Sequence, residues 1–137
     1  MSQENVELAR RGYAALNDAY RTGDFSAAIE EFCDPEIVLT PSGILPESSE
    51  MHGHEGLLRF AALQTEAFEE FWVQPQEMID AGDRVVVPVR FGGRAQHTGL
   101  EVVFDVVHVC TARDGKWTRI DMYVSKAEAL EAVGLWE

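Results

Sequence analysis

Basic residues are scarce in this chain. Lysine and arginine number 11 against 24 aspartates and glutamates, a formal net charge of −13 over 137 residues. Phosphate backbones and anionic membranes are held by clustered Lys and Arg, so neither nucleic acid nor membrane is an expected partner. Cysteine is nearly absent too. Cys33 and Cys110 have neither metal nor redox spacing, and they imply no disulfide framework. No apolar run reaches the length of a membrane span and no signal peptide is visible, which makes the cytoplasm the expected compartment. His52 and His54 alternate without a third ligand at a sensible spacing, so no metal is expected, and no cofactor either. Internal repeats, low-complexity segments and linkers are missing. What remains, at 46% hydrophobic content, reads as one ordinary globular domain spanning 1–137.

The pattern along the chain is helices first and strands after. Val6, Ala9, Tyr13, Leu16 and Tyr20 share one face of a helix over 3–22. Gly23 stops it, Asp24 is placed to cap a second helix running to Phe32, and Asp34-Pro35 ends that one. "EIVLT" follows as a strand. "PSGILPESSE" is a polar loop of the kind that closes over a site. "GHEGLLRFAALQTEAFEEF" reads as a third helix, with Leu57, Phe60, Leu63 or Gln64, and Phe68 on one side. Four strands are expected at Trp72–Asp80, Arg84–Arg94, Glu101–Thr111 and Lys116–Val124, then a short helix from Lys126 to Val133 ended by Gly134. The expectation is an α+β fold, with three helices packed on a curved antiparallel sheet.

The last two strands carry the most chemistry. Asp114-Gly115 between alternating apolar runs is a hairpin signal, because a type I′ turn needs positive φ at both central residues. An unbulged hairpin sets His108 opposite Asp121, near enough to touch. Alternation then groups Ile120 and Met122 with Asp105, Val107 and Val109 on the more apolar face, and His108 with Asp121 on a wetter one. A bulge would exchange the faces.

The strings "RRGYAALN", "GDF", "HGHEGLLRF", "IDAGDRVVV", "ARDGKW" and "KAEALEAVGL" span nearly the whole chain and resemble the SnoaL-like branch of the NTF2-like superfamily. That resemblance implies a cone-shaped α+β fold, but not a reaction, because the superfamily holds isomerases, cyclases, epoxide hydrolases, dehydratases and binding domains. The residues of its ketosteroid isomerases do not carry over. The general-base aspartate of their D-P-x-G string corresponds to Thr40 in "TPSG". The protonated acid that precedes a histidine corresponds to Val107. The oxyanion tyrosine lies one residue away from Tyr13, a rotation of about 100° on a helix. In the cyclases and epoxide hydrolases a cavity carboxylate on the last strand corresponds to Met122. The same comparison puts Asp121 on the convex face, where relatives dimerise.

These readings lead to a small-molecule-binding homodimer with an apolar cavity for a small hydrophobic molecule. Thr40, Trp72, Val107, Val109, Ile120 and Met122 are its expected lining, and Arg119, Asp121, Tyr123 and His108 its expected dimer face. The alternative is an enzyme acting on a hydrophobic carbonyl or polyketide-like compound, with Asp105 as base and Tyr13 as hydrogen-bond donor. Against that role, Asp105 is also placed to pair with Arg90. A His108–Asp121 acid–base dyad is a further candidate, set against a structural cross-strand pair. A protein-interaction adaptor is the third class, and it would need a large apolar patch outside the dimer face.

Overall fold

Helix α1 (Ser2–Thr22) buries Ala9 and Tyr13 of the expected stripe, packs Val6, Leu16 and Tyr20 against the same core, and buries Leu8 beside them. Gly23 ends it in the left-handed conformation, φ 84°, with its N–H bonded to the Ala19 carbonyl. Asp24 Oδ1 accepts from the Ser26 N–H and so turns the chain into α2 (Ser26–Phe32). The computed structural model describes residues 2–41 and 50–135. Residues 42–49, most of the loop expected to cover a site, lie outside the described residues.

Beyond α2 come β1 (Cys33–Thr40), β2 (Met51–His52), α3 (Gly53–Ala67), β3 (Phe68–Pro75), β4 (Ile79–Ala81), β5 (Arg84–Ala95), β6 (Glu101–Arg113), β7 (Lys116–Tyr123) and α4 (Lys126–Ala132). Several boundaries differ from expectation: β1 begins at Cys33 rather than Glu36, and β2 was not expected. α3 stops at Ala67, and "FEEF" opens β3, where Phe68 pairs with Ala95 on β5. The expected strand over 72–80 is divided into β3 and β4.

The sheet is curved and open, with strand order β2-β1-β7-β6-β5-β3 and β4 beside β5. It is mixed rather than wholly antiparallel, because β1 runs parallel to β7. Only strands joined by a tight turn are forced to be antiparallel, and β1 and β7 are distant in sequence. Helices α1–α3 lie on the inner face, around a core that includes Ile37, Val85, Val87, Val89 and Trp117. α4 covers part of the outer face with Ala129 and Leu130, against Val86, Val107 and Val109.

Asn17 fixes α1 to the sheet. Its Nδ2 donates to the Val73 carbonyl at 2.6 Å, and the Val73 N–H donates to its Oδ1 at 2.8 Å. β3 is an edge strand, so Val73 has no neighbouring strand on that side. The carboxamide takes the place of one. Tyr13 lies one turn earlier on the same helix, so this clamp also sets the height at which Tyr13 meets the sheet.

Asn17→Ala is expected to cost about 2 kcal/mol in urea denaturation, since it strands a backbone donor and acceptor together. The neighbouring Asp18→Ala removes only an exposed ion pair with Arg21 and should stay within about 0.5 kcal/mol.

Candidate functional site

The hairpin between β6 and β7 decides which side chains meet inside the protein. Asp114 and Gly115 have φ of 53° and 77°, and Arg113 pairs with Lys116, as the turn chemistry predicts. The pairing then slips: Ala112 opposes Trp117, but Thr111 opposes Arg119, so Thr118 is an extra residue. Its hydroxyl donates to the Thr111 carbonyl at 3.3 Å. Past this bulge His108 faces Met122, and Val109 faces Asp121.

The expected His108–Asp121 pair therefore does not form. Met122 and Ile120 point inward as anticipated, but their cross-strand partners are His108 and Cys110. Val107 and Val109, expected beside Met122, lie on the outer face against α4. The bulge also carries Trp117 to the inner side, where it is buried.

The inner face, with α1, α2 and α3 over it, encloses a cavity of about 160 Å³. Of the expected lining, Ile120 and Met122 belong to it. Thr40 does not, because it sits on the outer face opposite Asp121; its neighbour Leu39 lines the cavity instead. Trp72 is 37% exposed and outside the cavity. The remaining wall is mostly aliphatic and aromatic, including Leu16, Leu57, Phe60 and Phe71.

The polar groups in this wall are few. Tyr13 Oη lies 2.7 Å from His108 Nδ1 and 3.9 Å from Cys110 Sγ. Burial lowers the His108 pKa to about 4, so its imidazole is neutral near pH 7. Burial, then the neighbouring Cys110, pushes the Tyr13 phenol well above its ordinary value. Burial likewise raises the thiols of Cys33 to about 11 and Cys110 to about 12, so neither is a thiolate. One proton lies between Tyr13 and His108. If Tyr13 donates it, His108 Nε2 carries the ring's N–H; if Nδ1 donates, Nε2 is a bare base. In both arrangements Nε2 has no hydrogen-bond partner among the described residues.

Gln64 is the other polar group. Apart from tyrosines and cysteines it is the sole buried polar side chain among the described residues, 7% exposed, and it lines the same cavity. The sequence offered Gln64 only as an alternative to Leu63 on the apolar side of α3, with no role in a site, and the inward direction of His108 was not recognised.

The remaining candidates lie elsewhere. Asp105 is on the exposed side of β6, bonded to Arg90 Nε at 2.9 Å, and that bond holds its carboxyl below the usual range. It does not line the cavity. Asp121 is bonded to Arg119 at 3.0 Å, and Arg119 also reaches the Thr40 hydroxyl and Glu50. His54 opens α3, where its Nε2 meets the Cys33 carbonyl at 2.9 Å. Among the described residues no cluster of His, Cys, Asp and Glu is arranged to hold a metal ion. Among the described residues no helix is long and apolar enough to cross a membrane.

Three helices over a curved sheet, with an apolar cavity between them, define a cone-fold pocket protein. Residues 10–120 match the SnoaL-like domain family, and the chain belongs to it. Among solved structures it is similar to TerC co-crystallized with polyporic acid, at 26% identity over 95% of this chain and 98% of that one, with a TM-score of 0.73. It also resembles an NTF2-like protein of unknown function from Burkholderia pseudomallei, at 23% identity over 98% and 99% of the two chains and a TM-score of 0.72. A putative SnoaL-like polyketide cyclase from a Jannaschia species is similar at 21% identity over 97% and 93%, with a TM-score of 0.73. Those two likenesses show the fold alone. No protein of curated function matches the chain.

The lowered His108 pKa has a consequence for stability. Between about pH 6.5 and 4 an unfolded chain protonates this histidine while the folded one does not, so acidification favours unfolding across that window. The full contribution, on the order of 3 kcal/mol, is present above the unfolded pKa and is lost as the pH falls to about 4. Thermal melts of wild type and His108→Gln across this range should therefore converge or cross as the pH drops. Parallel curves would show that His108 is protonated in the folded protein.

Proposed function

We propose that this chain is a small-molecule-binding protein whose cavity takes a compact apolar molecule bearing a polar group for His108. One observation carries this reading: an apolar cavity with a neutral Tyr13–His108 pair in its wall and Nε2 without a partner among the described residues. An apolar cavity of about 150 Å³ accepts benzene. At about 160 Å³ the present one suits a single six-membered ring. The co-crystallization of TerC with polyporic acid shows that one similar protein meets an organic ligand.

An enzymatic role is the second reading, and the same pair favours it. A neutral imidazole is already in its basic form at pH 7, and when Nε2 takes a proton the Nδ1–H can donate to Tyr13 Oη. This replaces Asp105 as the base, since Asp105 is exposed and tied to Arg90. Steroid isomerisation is not part of the proposal. No carboxylate among the described residues lines the cavity, and four fused rings far exceed its volume.

Toluene and phenol should each raise the melting temperature saturably and alter Trp117 fluorescence. Ala61→Leu, which fills part of the wall, should abolish both effects while the protein stays folded. Wild type that binds neither compound at millimolar concentration overturns the reading, and turnover of a β,γ-unsaturated ketosteroid near 1 s⁻¹ overturns the exclusion of isomerase chemistry.

A cytoplasmic homodimer remains part of the proposal, with its interface revised. Arg119, Asp121 and Tyr123 stay on the outer face, but His108 faces the cavity and leaves the set. Light scattering should show a dimer that Tyr123→Glu shifts toward monomer. Wild type that is monomeric at micromolar concentration refutes it.

A further inference from the structure

α3 carries a local inversion of its hydrophobic pattern. Leu57, Phe60, Ala61 and Gln64 follow one another at helical spacing, and all four line the cavity. Leu63, one position earlier, is 40% exposed. A sequence selected for packing alone would place the leucine inward and the glutamine outward. Such a violation of the pattern, with no gain in packing, marks a position kept for function.

The polar end of the side chain reaches open space, because among the described residues no fully buried side-chain nitrogen or oxygen is left without a partner. A buried amide offers one acceptor and two donors, and leaving them unpaired is unfavourable. The Gln64 carboxamide makes no hydrogen bond within the described residues, to Tyr13 and His108 or to anything else. Its backbone carbonyl is engaged by the Phe68 N–H at the end of the helix. The side chain is therefore a second polar point, separate from the Tyr13–His108 pair and presented from a different element.

Charge settles the kind of molecule that can use both points. No Asp, Glu, Lys or Arg lines the cavity among the described residues. A carboxylate or ammonium placed there would lose its hydration without gaining a counter-charge.

We infer that Gln64 is the specificity-determining residue of this cavity, selecting an uncharged, ring-sized ligand with two hydrogen-bonding groups, one for the Gln64 amide and one for His108. This rests on the cavity-binding reading, and the test separates the two. Toluene, phenol, resorcinol and benzoate have similar rings and carry no polar group, one hydroxyl, two hydroxyls and a charge respectively. Their affinities are measured by calorimetry on wild type and on Gln64→Met, which keeps the side-chain volume.

Gln64→Met is expected to weaken resorcinol about tenfold, the order of one lost hydrogen bond, and to leave toluene unchanged or tighter. Benzoate should not bind either protein. In wild type labelled with ¹⁵N, the Gln64 side-chain amide signals should shift with resorcinol and not with toluene, a readout that does not depend on the variant folding. If wild type binds toluene and resorcinol but the substitution changes both alike, Gln64 is structural and the inference fails while the cavity reading stands. If benzoate binds as tightly as resorcinol, selection for an uncharged ligand is refuted. If no compound binds wild type, the cavity reading fails and takes the inference with it.

Discussion

One extra residue in β7 determines the chemistry of the interior. No residue of β6 stands opposite Thr118 in the strand register, and from that point the hairpin is offset by one position. Side chains alternate with a period of two, so an offset of one exchanges which residues of β6 share a face with Met122 and Ile120. With the bulge, His108 and Cys110 turn into the cavity, and Val107 and Val109 turn out to α4. Without it Asp121 and Arg119 would stand opposite His108 and Cys110, whose inward side is shared with Val87 and Val85 on β5. The Tyr13–His108 pair has apolar neighbours on β7 because of this slip.

A polar pair in an apolar chamber also has to be held in place from the helical side. Asn17 does this by bonding both backbone groups of Val73 on the sheet edge. Tyr13 is carried in by the same helix, one turn away. Three elements therefore converge: α1 brings the phenol, β6 the imidazole, and β3 anchors α1. The same carboxamide satisfies an edge strand and positions a cavity residue, which couples stability to the site. Lys116 adds a similar tie on the other side, its ammonium reaching the Glu30 carbonyl at 2.6 Å near the end of α2.

Local chemistry was legible in the sequence wherever one residue type answers one geometric demand. Gly23 and Asp114-Gly115 mark their turns because positive φ favours glycine and, less strongly, aspartate. The SnoaL-like strings announced the fold, and the family match bears them out. The α3–β3 boundary was harder, since "AFEEF" fits either period and the pairing of Phe68 with Ala95 settles it. The bulge was not legible at all. Thr118 is an ordinary strand residue with no glycine to mark irregularity, so the alternation reads smoothly across it. That single unseen slip accounts for the displacement of Val107, Val109 and His108 from their expected faces. Thr40 follows a different path, since its face depends on the parallel pairing with β7, which no local signal encodes.

The distribution of charge completes the account. The full chain has a formal charge of −13, and among the described residues no charged side chain lines the cavity. The candidate carboxylates that sequence brought forward are tied to arginines outside: Asp105 to Arg90 and Asp121 to Arg119. An acidic exterior slows the approach of anions, and a neutral, low-dielectric interior gives them no counter-charge on arrival. Both effects act in the same direction against anionic ligands, and for cations the interior alone opposes entry. Inside, hydrogen bonding is left to Tyr13, His108 and Gln64, whose bonds are stronger in an apolar setting than in water. A few neutral donors and acceptors there can discriminate between ligands that differ by one hydroxyl, because a missing partner leaves a buried group unpaired. The physical limit on this protein is thus set by what its cavity withholds, which is charge, as much as by the few polar atoms it presents.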